Sequence, residues 1–264
     1  MTTHAAEWEK ACYADAYGSD VVALLLGNSY HPGGLALTRH LAQRLALPPG
    51  ARVLDVASGR GGTAMLLARE FALRVAGVDL SRANVALARA AADAAGLADR
   101  VAFSVGDAER LPHPDATFDA VVVECALCTF PDKPTAVAEM LRVVAPRGRI
   151  GLTDIVAEPD RLPQELRTWV ARVACIAGAV PMDGYVDLLH EAGWRVTRTE
   201  RHDDALGRMI DQIEARLGVV TMAAPLRLSA LGIDVTRAGP AVGAARAAAA
   251  DGVLGYGLLV AELE

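Results

Sequence analysis

The stretch Val53–Ala64, VLDVASGRGGTA, decides how the chain is read. Val53, Leu54 and Val56 make a short apolar run of strand type, and the glycines at 59, 61 and 62 forbid its continuation and open a tight turn. Ala64 to Ala68 can then start a helix. A strand, a glycine turn and a helix in this order bring backbone N–H groups and the positive end of a helix to a bound ligand. Gly59, Gly61 and Ala64 also fit the GxGxxA spacing of a dinucleotide-binding turn. Two carboxylates weigh against a pyrophosphate at that turn: Asp55, inside the apolar run, and Asp79, at the end of the next predicted strand, Val75–Leu80. Negative charge beside the loop suits a ligand that carries cationic groups.

From this unit outward, strands and helices alternate, the pattern of a parallel sheet covered on both faces. Helices are predicted over Arg82–Ala95 and Lys133–Val143, and strands over Val101–Val105, Ala120–Glu124, Arg149–Asp154, Trp194–Glu200 and Gly255–Glu262. Residues 1–50 read as a helical lid segment, with helical character over Glu7–Tyr17, a short helix or turn at Val21–Leu26, the breaker HPGG at His31–Gly34 and an amphipathic helix over Leu35–Leu45. Residues 51–202 form the ligand-binding core, completed by a final strand within 253–264. Between them, residues 203–252 read as a helical insertion. Leu206, Met209, Ile210, Ile213 and Leu217 repeat at i, i+3, i+4 spacing, a loop follows around Gly232–Pro240, and AVGAARAAAA signals a further helix. This insertion can roof a pocket, close a homodimer or pad the sheet.

With 53% apolar residues, the 264-residue chain has ample length for a core. Thirty-two acidic against 26 basic residues leave a net charge of −6, which argues against nucleic acid as the main partner. Lys10 and Lys133 are the lysines, every other basic residue being Arg, which together with the many alanines reads as codon bias. No apolar run approaches the ~18 to 20 residues needed to cross a bilayer, and MTTHAAEWEK lacks the regions of a signal peptide. A cytoplasmic protein without a membrane partner is therefore expected. Its four cysteines, at 12, 125, 128 and 175, are then expected as thiols. CxxC at Cys125–Cys128 lacks the second ligand pair of a structural zinc site, so no metal site is expected.

DVASGRG (Asp55–Gly61) resembles motif I of the class I S-adenosylmethionine-dependent methyltransferases, with Ala57 standing where the D/E-x-G-x-G-x-G pattern has its first glycine. LPHPDATFDAV (Leu111–Val121) resembles the LPFPDxSFDxV found ahead of strand four in the ubiquinone/menaquinone type. The resemblance implies a Rossmann-like α/β fold: a seven-stranded sheet with helices on both faces, its last strand antiparallel between strands five and six. It implies S-adenosylmethionine as cofactor and a small molecule as methyl acceptor. It assigns cofactor contacts to Asp55, Ala57, Ser58, Gly59 and Gly61 in the loop. Asp79, followed by Leu80, would take the ribose hydroxyls, Asp107 and Ala108 the adenine, and Glu124 would stand at the end of strand four. By the same resemblance the leading segment folds over the cofactor, making Tyr13, Tyr17, Tyr30 and His31 pocket candidates, the last three as substrate contacts.

CALCTFPDKPTAVAEMLRVVAPRGRIGLTDI (Cys125–Ile155) and ACIAGAV (Ala174–Val180) are similar to stretches of the arsenite methyltransferases, which hold the metalloid on thiols. That similarity implies Cys125, Cys128 and Cys175 as acceptor-site residues, since trivalent arsenic is soft and prefers thiolate sulfur. The arsenite family's cysteine after the glycine loop is replaced by Thr63 and Ala64, and its cysteine near the C-terminus has no counterpart here. A soft nucleophile, a thiol or thiol-bound arsenite, is the favoured acceptor. The alternative is an amine, hydroxyl or carbon centre, for which Glu124, Asp154, His202 or Asp204 is the candidate general base. Two readings from another class stay open: a nicotinamide dehydrogenase and a non-catalytic S-adenosylmethionine-binding regulator.

Overall fold

Val53, Leu54 and Val56 are buried and build β1 (Arg52–Val56), the strand on which the sheet is centred. The computed structural model describes residues 3–19, 22, 25–27, 29–168, 171, 174–223 and 235–263. Six more strands join β1: β2 (Arg74–Asp79), β3 (Val101–Val105), β4 (Phe118–Glu124), β5 (Val144–Ala157), β6 (Arg195–Arg201) and β7 (Leu254–Glu262). Their order is β3-β2-β1-β4-β5-β7-β6, with β7 antiparallel to both neighbours and the remaining pairs parallel. Asp55 of β1 lies opposite Gly77 of β2 and Val122 of β4. The chain order reverses at β1, so the carboxyl ends of β1 and β4 mark the crevice where open α/β sheets take their ligands.

Helices cover both faces: α1 (Thr3–Gly18), α2 (Gly34–Leu45), α3 (Gly62–Glu70), α4 (Arg82–Ala94), α5 (Lys133–Val143), α6 (Met182–Glu191), α7 (Asp203–Ala223) and α8 (Val235–Ala250). Local chemistry fixes several ends. Ser81 caps α4 by accepting the Asn84 N–H, and Asp132 caps α5 by accepting the Thr135 N–H at 3.1 Å. Two apolar clusters, one on each face, bury side chains such as Leu41, Leu67 and Tyr256 on one side and Met140, Ile150 and Tyr185 on the other. Each fully buried side chain of this size contributes roughly 1.5–3 kcal/mol. The edge strand β6 is mostly exposed and carries Arg195, Arg198 and Arg201, a charged rim that discourages further strand pairing.

The structure extends some of the predicted elements. β5 starts at Val144 instead of Arg149, because Val144 already pairs with Phe118 before a register shift brings Arg149 opposite Ala120. The loop expected around Gly232–Pro240 is helical from Val235, with Pro240 inside α8. Proline removes one backbone hydrogen bond there, which alanine-rich helix propensity near the start of the helix outweighs. The expected turn at Val21–Leu26 falls largely outside the described residues, as do residues 224–234 of the insertion. Among the described residues no helix is long and apolar enough to cross a membrane.

Candidate functional site

A cavity of about 350 Å³ opens at the carboxyl ends of the central strands. Asp55, Ala57, Ser58, Gly59, Asp79, Leu80, Asp107, Ala108 and Glu124 line it, joined from the leading segment by Tyr13, Tyr17, Tyr30 and His31. Ala57 sits in the left-handed region at φ 57°, which the first glycine of the motif would adopt without steric cost. Gly61 corrects an expectation. It does not line the cavity but stands behind the loop as the residue before α3, at φ 81°, where an added Cβ would meet Phe103 Cζ at 2.5 Å.

Carboxylates dominate this cavity: Asp55, Asp79, Asp107, Glu109 and Glu124 face Lys10 and Arg60. Asp55 is 2% exposed and accepts the Ala64 backbone N–H, while its Oδ2 has no hydrogen-bond partner. Burial pushes its carboxyl well above the usual range, and the charges of Glu124 and Asp79 push it further. Glu124 Oε2 accepts hydrogen bonds from Thr63 at 2.6 Å and Thr38 at 2.9 Å and lies 3.7 Å from His31 Nε2, while its Oε1 is buried and unpartnered. Asp79 is more constrained. Its two oxygens accept the Gly59 and Ser81 N–H groups, each at 2.8 Å; burial raises its pKa, and these bonds oppose the rise. Lys10 of α1 reaches across to Asp107 at 2.8 Å and to Glu109, tying the leading segment to the far wall. The Arg60 guanidinium lies 5.8 Å from the centre of the Tyr30 ring.

Unpartnered carboxylate oxygens in an acidic, enclosed cleft call for a ligand that brings N–H or O–H donors and positive charge. S-adenosylmethionine carries an ammonium, a sulfonium and a ribose diol, so the residues present fit it. A dinucleotide's pyrophosphate would meet five carboxylates.

Behind this cleft lies a second, mostly apolar cavity of about 510 Å³. Tyr17, Tyr30 and Cys125 line both. Leu206, Met209, Ile210, Ile213 and Leu217 of α7 and Val242 and Ala245 of α8 face the second cavity, so the apolar stripe of the insertion forms its wall. Cys175 also lines it, at φ 64°, while Cys125 takes φ 54°. Two non-glycine residues in the left-handed region at one junction store backbone strain there, of order 1–3 kcal/mol each.

The thiols form a connected group. The Cys175 sulfur lies 3.1 Å from the Tyr17 hydroxyl and in hydrogen-bond contact with the thiols of Cys125 and Cys128. Those two thiols hold Cys175 well below the ordinary thiol range against the opposing effect of burial, helped by Tyr17 and by the Lys133 charge. Its 3.3 Å approach to the Cys125 carbonyl oxygen favours the protonated thiol, but the several donors outweigh it. The hydrogen bond to Cys175, and burial after it, push Cys125 up; burial first and then that bond push Cys128 up. The group thus holds one readily ionised sulfur between two resistant ones. Cys128 is 2% exposed and lines neither cavity, so it reaches the second cavity through Cys175 and not directly. Among the described residues the three sulfurs do not all come within 4.8 Å of one another, so they form a chain rather than a closed cradle.

Three of the general-base candidates fall elsewhere, Asp204 among them, in the first turn of α7 and outside both cavities. Asp154 is 1% exposed and lines neither cavity; it accepts the Cys128 N–H at 2.9 Å and the Ile155 N–H at 2.8 Å, and burial pushes it up to about 7. His202 likewise lines neither cavity and instead contacts Glu200. Glu124 lies in the cleft. The sequence reading missed Lys10, Thr38, Thr63 and Glu109. One signal was available: the chain's two lysines both stand at the site, Lys10 on the acidic wall and Lys133 near Cys175.

Fold and site together define a Rossmann-like α/β protein with an acidic ligand cleft at the switch point of its sheet. A family model described as a methyltransferase domain matches residues 54–152. Methyltransferase GfsG of Streptomyces halstedii is 34% identical over 164 residues, which are 61% of this chain and 58% of that protein. The crystal structure of the [4+2]-cyclase SpnF is 30% identical with a TM-score of 0.69, covering 86% of this chain and 80% of that one. Haemonchus contortus phosphoethanolamine N-methyltransferase 2, solved with phosphomonomethylethanolamine and S-adenosylhomocysteine, shares the fold at a TM-score of 0.75 and 20% identity, over 97% of this chain and 57% of that one. The chain belongs to the class I S-adenosylmethionine-dependent methyltransferase family. It spans 58% of the length of GfsG.

Proposed function

We propose that this chain transfers the methyl group of S-adenosylmethionine to a small molecule lodged in the apolar cavity behind the acidic cleft. The observation that carries the reading is the pair of buried, unpartnered oxygens, Asp55 Oδ2 and Glu124 Oε1, in a cleft that adjoins an apolar chamber at Cys125. In this reading Asp55 and Glu124 hold the ammonium of the cofactor, Asp79 its ribose hydroxyls, and Asp107 with Ala108 its adenine. When bound, the cofactor supplies an electrophilic methyl on a cationic sulfur and leaves as a neutral thioether. The chain's own part is to orient the acceptor and exclude water, which strengthens charge interactions inside the site. Tyr17, Tyr30 and His31, as residues of the leading segment, close the cleft over both ligands.

The favoured acceptor is a soft nucleophile, a thiol or thiol-bound As(III). Its support is the low-pKa sulfur of Cys175 next to Cys125 at the junction of the two cavities. A soft acceptor needs alignment more than a base, and among the described residues Asp15 is the one carboxylate lining the apolar chamber. The chain-like arrangement of the sulfurs points to capture by two thiols, Cys175 and Cys125, with Cys128 as a supporting hydrogen-bond partner. A second reading, transfer to a hydroxyl, amine or carbon of an apolar metabolite, draws on the largely aliphatic wall of α7 and α8. The test is formation of S-adenosylhomocysteine with arsenite plus glutathione, with small thiols and with apolar alcohols and amines. Cys175→Ser should abolish turnover on the soft acceptors and leave S-adenosylhomocysteine affinity unchanged. Unaltered turnover in that variant removes the thiol site, and turnover on apolar alcohols, amines or carbon acids alone replaces it with the second reading. Cofactor binding without turnover on any acceptor would favour a non-catalytic regulator.

A further inference from the structure

We propose that His40, Glu200 and His202 form a binding site for a borderline divalent cation such as Zn²⁺ at the rim where α2 meets the edge strand β6. Glu200 and His202, two residues apart, converge on one point with His40, 160 positions away from Glu200 in the chain. His40 Nε2 lies 2.6 Å and His202 Nε2 lies 3.3 Å from the same carboxylate oxygen, Glu200 Oε2. One ligand atom from each residue falls within 4.8 Å of the other two, and among the described residues this is the group of three that meets that spacing. The two imidazoles stand edge to face, with ring centres 5.4 Å apart. None of the three residues lines either cavity, so the site is separate from the proposed methyl-transfer centre.

The scaffold under these side chains is firm. α2 buries Leu37, Leu41 and Leu45 in the core, which fixes the helix face carrying His40. Glu200 is paired in register with Leu258 of β7, and the His202 N–H donates to the Tyr256 carbonyl at 2.8 Å. A second layer orients the carboxylate. Arg44 Nε at 2.9 Å and Arg198 Nη1 at 3.5 Å occupy Glu200 Oε1, leaving Oε2 to the imidazoles.

Zinc bonds imidazole nitrogen and carboxylate oxygen at about 2.0–2.2 Å, which in a tetrahedral site separates ligand atoms by about 3.3–3.5 Å. The His202–Glu200 separation already has that size, and the His40–Glu200 contact must open by only about 0.7 Å. With the side chains partly exposed, water can fill the remaining position. Two imidazoles and one carboxylate suit Zn²⁺, Ni²⁺ or Cu²⁺ better than Mg²⁺ or Ca²⁺, which take oxygen ligands. The two guanidiniums beside the carboxylate weaken its attraction to a cation, so binding is expected to be weaker than at a site without them. A bound ion would clamp α2, whose Thr38 holds Glu124 in the cleft, to the rim of the sheet.

The experiment is calorimetric titration of the tag-free full chain with ZnCl₂, for the native protein and for the His40→Gln/His202→Gln double variant. The expected result is the loss of one zinc equivalent per chain in the variant, any zinc taken by the buried thiols being common to both proteins. An unchanged number of equivalents overturns the proposal. Crystals of the native protein soaked in ZnCl₂ give a reading that does not depend on the variant folding. An anomalous peak at the zinc edge about 2.1 Å from both Nε2 atoms supports the site, and its absence there overturns it.

Discussion

Replacing Asp55 by Asn should strengthen the ligand-free protein and weaken its grip on the cofactor. In the native chain Asp55 is buried beside Glu124 and Asp79, with Oδ2 unpartnered and its pKa raised well above the usual range. A carboxyl with a raised folded-state pKa stabilises the fold below its unfolded pKa, near 3.8, and that contribution is lost as pH rises through the folded value. Holding Asp55 in its charged form in this pocket is therefore a cost. Asn has the same shape, carries no charge and can donate to the neighbouring carboxylates, so it should recover roughly 1–3 kcal/mol. For a chain of this size each kcal/mol moves the unfolding midpoint by about 2–4 °C, giving a rise of about 2–12 °C without ligand. With ligand the sign reverses. A lost hydrogen bond to a charged partner costs about 1.5–3 kcal/mol, or about 10- to 150-fold in affinity. Scanning calorimetry of the ligand-free proteins reads the first effect, and titration calorimetry with S-adenosylhomocysteine reads the second. A lower midpoint in the variant, or an unchanged affinity, refutes the assignment of Asp55 as a carboxylate held in reserve for a cationic ligand.

The same logic sets the pH profile of the ligand-free protein. Asp154, pushed up to about 7, stabilises the fold at low pH and loses that contribution as pH rises toward 7, and Asp55 and Asp79, also raised, lose theirs as pH rises above the ordinary carboxylate range. Asp132, Glu139 and Glu200 are lowered and lose theirs only as pH falls below about 4.5. The unfolding midpoint should thus peak near pH 5 and fall by pH 8, and a flat profile between those values contradicts the burial argument. In the glycine loop, Gly59→Ala should cost about 1–2 kcal/mol, the left-handed strain alone, since nothing lies within 4 Å of the added methyl. Gly61→Ala should cost about 1–3 kcal/mol more, because its methyl would overlap Phe103. Equal losses measured in urea would refute that division of roles.

The core of the fold was legible because its signals are local. Val53–Val56 with its glycines, Val101–Val105 and Lys133–Val143 are each specified by consecutive residues, and the strand and helix cover those positions. β5 ran longer than expected because its first residue is recruited by pairing with Phe118, which no local pattern announces. The acids of the cleft could be read from the motif, but their partners could not. Thr38 reaches Glu124 from 86 positions away and Lys10 reaches Asp107 from 97. The same limit hid the rim cluster: Glu200 near the end of β6 and His202 just past it are two apart, yet His40 joins them across 160 positions. The left-handed backbone at Cys125 and Cys175 was equally invisible, since a cysteine gives no sign of a conformation usually left to glycine or asparagine.

Tyr17, Tyr30 and Cys125 belong to both cavities, which otherwise keep separate walls. Under the proposed function, donor and acceptor would load as separate guests that meet where these three side chains stand. On that reading, reshaping α7 and α8 would change which molecule receives the methyl without disturbing the carboxylates proposed to grip the donor.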